Sequence, residues 1–382
     1  RLAVQRSVGP FVPFSLLAGR LRRCAARPWG LRRAAMEEPA AKRAKTAAEE
    51  DEAVEFEEDA PADDAPRIDR DVGFALEDTT MNVSQLEEGR ILAPCGDGGL
   101  QHFLATARAD CGVRSGRYVF EARLVEPPTA AEEPDAKLAK ATAKSPRHLR
   151  IGVTSSSTHF LGDSMDSICF DTGGSLVFNK KRTTVGKAFG LQTVVAVVIN
   201  LDIASPHANT ISLFQDGRRV CRPQKLPESL IGKVLYPTIN FRGVAVEYNF
   251  GSERLAPLPF QCRALQDASA KDVEVKPPAI KEGSTPEVLF PVCLPDEGTF
   301  DWLDAFLREH SQYTEISDRA ILRWAELSGI STQKSQERKA SNDKPEVSFG
   351  VASLDDGSVQ KALLKIAPLQ RRSYVVMEVR GN

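Results

Sequence analysis

Residues 193–201 read Thr193-Val194-Val195-Ala196-Val197-Val198-Ile199-Asn200-Leu201. The run is nearly all β-branched and carries no charge, and it does not alternate, so neither face is left for water. It predicts a strand buried on both faces at the centre of a sheet. Residues 118–124, Tyr118-Val119-Phe120-Glu121-Ala122-Arg123-Leu124, alternate apolar with polar for part of their length. Residues 149–153, 167–171 and 175–179 are further strand candidates, the last two joined across Gly173-Gly174. Residues 210–214 run into Asp216-Gly217, a dipeptide suited to a two-residue hairpin. Residues 235–241 and 244–250 close the set, and residues 74–76 and 102–106 add candidates upstream. Roughly ten short strands with little helical periodicity predict a mainly β chain, an antiparallel β-sandwich beginning near Val72.

Outward from this core the composition changes sharply. Residues 126–147, rich in Pro, Ala, Glu and Lys, form a long loop inside the sandwich, because strands resume directly after it. Residues 1–35 hold eight arginines, no lysine and no acidic residue, and Met36 opens sequence of a different character. They read as an upstream extension, with an organelle transit peptide as the alternative. Lys42, Arg43 and Lys45 form a basic cluster of the kind read by nuclear import receptors, or else a solvated charge run. Residues 49–64 place ten carboxylates in sixteen positions. Self-repulsion and the lack of apolar surface predict disorder there. The whole of 1–71 is therefore expected to be a disordered, targeting and acidic tail.

The chain has 382 residues and a net charge of −2. No run of 18 apolar residues exists, so no membrane-spanning helix is expected. Seven cysteines are scattered, with no Cys-x-x-Cys pair, which suggests neither a zinc site nor a disulfide framework. The five histidines are isolated from metal-ligand spacing, and no nucleophile elbow is marked. No metal, cofactor, catalytic group or small-molecule substrate is expected.

Residues 149–153, Leu161-Gly162-Asp163, 167–171, Gly174, Leu176 and Asn179 resemble the middle of a SPRY domain. Residues 210–214 with Asp216-Gly217 resemble its penultimate hairpin, and 235–237 and 246–251 its last strands. The resemblance covers about residues 72–262. Within the family the chain is most similar to the heterogeneous nuclear ribonucleoprotein U family, through its long insertion before Leu149 and its Glu247-Tyr248-Asn249-Phe250-Gly251 ending. It implies a binding module whose loops meet a protein partner. The loop candidates are residues 158–163 with Phe160 and Asp163, 179–184 with Lys180, Lys181 and Arg182, and 216–219 with Asp216, Arg218 and Arg219. Phe160 is either an exposed recognition aromatic or core beneath its loop. The basic hairpin ends either meet phosphates and acidic peptides or are ordinary solvated turns.

Residues 263–286 read as a linker and 287–382 as a small α/β or helical unit. A strand is expected at 288–292 and a helix from about Thr299 to His310, with Trp302, Leu303, Phe306 and Leu307 on one face. A second helix should follow from about Asp318 to Ser328, with Ser317 as N-cap, Ile316 and Ile321 as a staple, and Gly329 past its end. The ribonucleoprotein U family carries a P-loop kinase-like unit at this point. Here Cys293 and Asp296 stand at glycine positions of that loop, Gly298 keeps the frame, Thr299 replaces the lysine and Phe300 replaces the hydroxyl. A carboxylate about 4 Å from a phosphate costs on the order of 4 kcal/mol at an effective dielectric near 20. The expectation is a degenerate, non-binding phosphate loop, or else an unrelated helical unit. The chain shows no clear stop signal at Asn382, which suggests a C-terminal truncation.

These readings combine into a non-catalytic scaffold, nuclear and RNA-associated, acting through its sandwich loops. A protein-interaction adaptor without RNA contact, nuclear or cytoplasmic, is the alternative. An ATP-binding polynucleotide kinase-like enzyme is the third reading, against which the loop chemistry counts.

Overall fold

The computed structural model describes residues 55–61, 65–87, 89–95, 99–127, 147–156, 160–277, 286–292 and 298–330, together with 357, 359, 361–363 and 372–377. Two antiparallel sheets face one another. The first runs Val83–Leu86, Ile91–Pro94, Ala245–Asn249, Arg117–Val125, Val194–Asn200, Thr210–Gln215 and Arg218–Arg219. The second runs Ala105–Arg108, Tyr236–Arg242, His148–Thr154, Ser167–Asp171, Ser175–Phe178 and Lys181–Thr184.

The expectation for residues 193–201 holds, and its cause is visible. Val195, Val197 and Ile199 point into the space between the sheets, where they join Phe120, Leu213, Ile151, Phe170 and Phe241. Ala196 and Val198 point the other way and are covered by Val119, Phe214 and Phe260. A strand buried on one face only would have alternated. Each such side chain taken from water contributes about 1.5–3 kcal/mol, so this central strand anchors the fold. Upstream, residues 74–76 do not form a strand: Phe74 makes one isolated bridge to Ala109, and Leu76–Asp78 is a short 3-10 turn. Residues 102–106 divide between a second such turn, Leu100–His102, and the start of Ala105–Arg108.

Two boundaries differ from expectation. The 263–286 segment is no free linker over its described part. Arg263–Ala264 pairs in parallel with Arg117–Val125, and Val273–Val275 pairs with Cys111–Val113. Leu265, Ala268 and Val273 are buried in the main core. Asp272 accepts from Tyr118 Oη at 2.7 Å and Ser115 Oγ at 2.6 Å. These apolar residues are too widely spaced among Pro, Lys and Asp to read as strands, yet each reaches the core singly.

The acidic stretch also departs from expectation. Residues 55–61 lie on the outer face of the first sheet, and Ile68 N donates to Ala268 O at 3.1 Å further along. Self-repulsion does not decide here, because the carboxylates find arginines on the sandwich.

The last unit contains helices α1, Thr299–Glu309, and α2, Asp318–Leu327. Ser317 caps α2 by accepting from Ala320 N, and Gly329 beyond it takes a left-handed φ of 73°. Three short strands form a wholly parallel sheet in the order Val288–Leu289, Ser373–Val376, Tyr313–Ile316. The four-residue Tyr313–Ile316 strand carries too weak a pattern to be read from sequence. This unit is packed onto the sandwich. Ile316, Ile321 and Ala325 share a cluster with Met81, Cys95, Leu100 and Phe103. Trp324 Nε1 donates to Leu104 O at 2.8 Å, and Leu104 N donates to Ser328 Oγ at 2.8 Å.

Candidate functional site

The three loop candidates meet different fates. The 160–163 loop is folded inward. Phe160 is 8% exposed and Leu161 is fully buried with Cys169 and Val177. Arg150 Nη1 donates to Leu161 O at 2.7 Å and to Asp163 Oδ1 at 3.2 Å. Leu161 N donates to Asn240 Oδ1, and Gly162 N to Ser167 Oγ. Gly162 has φ of 80°, and a Cβ there would meet Val177 at 2.7 Å. Phe160 is buried rather than exposed. Asp163 is occupied by Arg150.

The Asn179-Lys180 turn has two left-handed residues, φ 46° and 63°, and leads into the edge strand Lys181–Thr184, every residue of which is exposed. Arg182 is 57% exposed and lies 3.7 Å from Asp171. His148 and Arg150 lie on the strand His148–Thr154, which Ser167–Asp171 and Ser175–Phe178 separate from this edge, and Arg242 lies one strand further in. Burial, then the charges of Arg150, Arg242 and Arg182, push the His148 imidazole down to about 3. It is therefore neutral at neutral pH.

The Asp216-Gly217 hairpin turns as expected, with φ 47° and 80°. Asp216 is structural: its Oδ1 accepts from Val194 N at 2.9 Å and so fastens the turn to the central strand. Arg218 is exposed. The side chain of Arg219 is only 2% exposed. Its guanidinium lies over the Phe214 ring, 4.6 Å from the centroid, and its Nε donates to Glu55 Oε1 at 2.9 Å and Oε2 at 3.1 Å.

Arg219 opens a groove that sequence reading missed. Phe56 sits in a cage of Arg219 at 5.6 Å, Arg222 at 5.9 Å and the His207 ring, edge-on at 5.9 Å. Glu57 is buried; its Oε2 accepts from Arg117 Nη1 at 2.7 Å and Asn200 Nδ2 at 2.9 Å. Asp59 Oδ1 accepts from Gln261 N at 2.7 Å, and Ala60 N donates to Gln261 O at 2.8 Å. Phe260, under Arg117 at 5.4 Å, forms part of the floor. The signal was present but small: Phe56 is the one aromatic in the acidic run, flanked by Glu55 and Glu57.

Of the phosphate-loop candidates, Cys293 and Asp296 lie outside the described residues, as do Lys42, Arg43 and Lys45. Gly298 is left-handed at φ 75°, and Thr299 begins α1. Phe300, where the resemblance calls for a hydroxyl, is buried with Leu303 and Val375 under Arg319. It is part of the core.

Among the described cysteines, Cys95, Cys111, Cys169 and Cys221 are buried and Cys262 is half-buried. Burial pushes the thiols of Cys111, Cys169 and Cys262 up to about 12, far above a working nucleophile. Among the described residues no group of three His, Cys, Asp or Glu is placed to hold a metal, and no helix is long and apolar enough to cross a membrane.

A two-sheet antiparallel sandwich with charged hairpin ends defines this part of the molecule. No family model matches the chain. Among solved structures it is similar to the SPRY domain of human HERC1, at 21% identity over 48% of this chain and 100% of that one, with a TM-score of 0.34. It is similar to stonustoxin at 14% identity over 47% of this chain and 27% of that one, TM-score 0.31. A human SPRY domain matches at 17% identity over 45% of this chain and 98% of that one, TM-score 0.30.

Proposed function

We propose that the chain is a non-catalytic SPRY-type binding scaffold that holds protein partners through its hairpin ends and associates with RNA in the nucleus. The observation that carries this reading is the Lys181–Thr184 edge. It is an exposed strand carrying Lys181 and Arg182 at the rim of a tightly packed core. A rigid sandwich holds such a rim in place while leaving it free to meet phosphates or acidic side chains. Phe300 in the core supports a role without nucleotide chemistry.

Ultraviolet crosslinking of the full-length chain in cells tests the RNA part. RNA should be recovered, and Lys180→Glu/Lys181→Glu/Arg182→Glu should remove most of it. Three lost phosphate contacts would flatten the salt dependence of single-strand binding by a log–log slope of about 2. Recovery of no RNA would sink that part. The adaptor reading would then stand, favoured by a separate observation: the groove at Arg219 already holds a peptide segment.

A further inference from the structure

The groove built by Arg117, Arg219, Arg222 and His207 has an occupant, and the occupant is this chain's own acidic stretch. Its grip is specific to side chains. Glu55 takes Arg219, the Phe56 ring fills the cation cage, and Glu57 takes Arg117 and Asn200. The fit is also imperfect, since Glu57 Oε1 is buried without a donor. Two buried guanidiniums need carboxylates here, and among the ion pairs of the described residues Glu55 and Glu57 supply them.

We infer that this groove is a recognition site for extended protein segments of the pattern acid–aromatic–acid, with residues 55–61 as a tethered occupant that a partner must displace. The inference rests on reading the sandwich as an interaction module and adds the chemistry of one partner class. Recognition follows from the geometry: a ring flanked by two carboxylates sets the ring against Arg219, Arg222 and His207 while the carboxylates take Arg219 and Arg117, and charge-assisted bonds reward that spacing. The tether works as a gate. A short connection keeps the local concentration of the strap near the millimolar range, so a weak partner is excluded and a better-fitting or locally concentrated one exchanges.

The test uses the full chain with a protease site replacing residues 62–64. After cleavage and a wash in high salt to strip the N-terminal fragment, a fluorescein-labelled peptide of residues 53–60 is added and anisotropy is read. The cleaved chain should bind the peptide at least tenfold more tightly than the uncleaved chain. Replacing the peptide's Phe by Ala should weaken binding tenfold or more, and added salt should weaken it further. Uncleaved full-length chain carrying Phe56→Ala, with an intact groove, should gain binding of the wild-type peptide. Failure of both the cleaved chain and Phe56→Ala to bind would overturn the proposal, as would equal binding by the uncleaved wild type. A near-ultraviolet circular dichroism spectrum lost on stripping and not restored by peptide would also overturn it, by making the strap a fixed piece of the fold. Capture of partners through Lys180–Arg182 is untouched by cleavage, so its loss would count against the scaffold reading alone.

Discussion

The Asn179-Lys180 and Asp216-Gly217 hairpins are built alike. Each turns through two left-handed residues, and each is followed by paired cations, Lys181-Arg182 in one and Arg218-Arg219 in the other. In the first, the cations stand in water at a sheet edge. In the second, Arg219 is sealed beneath an acidic strap that arrives from 164 residues away. Turn chemistry fixes the hairpin, and it does not fix what the cations do. That is decided by whether a distant segment brings carboxylates to them. A surface charge held in water is cheap to change; a guanidinium sealed against aromatic rings is not.

The largest expected break in this comparison comes from removing a partner inside the sealed groove. Glu57→Ala leaves Arg117 buried without its carboxylate and should cost about 3–5 kcal/mol in urea unfolding. An effect below about 1 kcal/mol would show the pair to be solvated.

Acid should act on the other hairpin's neighbourhood. His148 has a folded value near 3 against an ordinary 6.5, so the unfolded chain takes up the proton first. Its contribution is complete above about pH 6.5 and is lost as pH falls toward 3. The loss should reach about 2 kcal/mol by pH 5, and His148→Gln should flatten that part of the profile in denaturant titrations at each pH.

The turns themselves separate next. Gly217→Ala puts a side chain at φ 80° with its Cβ 2.1 Å from Pro257 O, and should lower stability by at least about 1–2 kcal/mol. Lys180→Gly at φ 63° should instead raise stability by about 0.5–1 kcal/mol, read as a higher urea midpoint. The smallest effect belongs to Arg182→Ala. Its pair with the buried Asp171, 3.7 Å away from a largely solvated guanidinium, should contribute under about 1 kcal/mol, while partner capture falls.

Most of the sandwich was legible because its signals are local. The Val194–Asn200 strand announces burial on both faces, the Asp216-Gly217 turn announces a hairpin, and Ser317 and Gly329 bracket α2. The site was legible only in part. Lys180, Lys181 and Arg182 are exposed as a basic hairpin end suggests. Phe160 and Arg219 are not, because an aromatic or a cation on a loop has no local mark of what will cover it. Glu57 and Leu265 were missed for a related reason: each belongs to a segment whose average composition is polar, while a single residue makes the decisive contact.

The sequence by itself determined most strands of the sandwich, its hairpin turns and the cap of α2. These depend on backbone preferences and on periodicity within a few residues. Tertiary structure alone decided that the acidic stretch docks, that residues 263–277 complete the sandwich, and that the last unit packs onto Leu100 and Phe103. Those outcomes rest on contacts between residues far apart in the chain. There desolvated charge pairs and single buried side chains outweigh what the local composition favours.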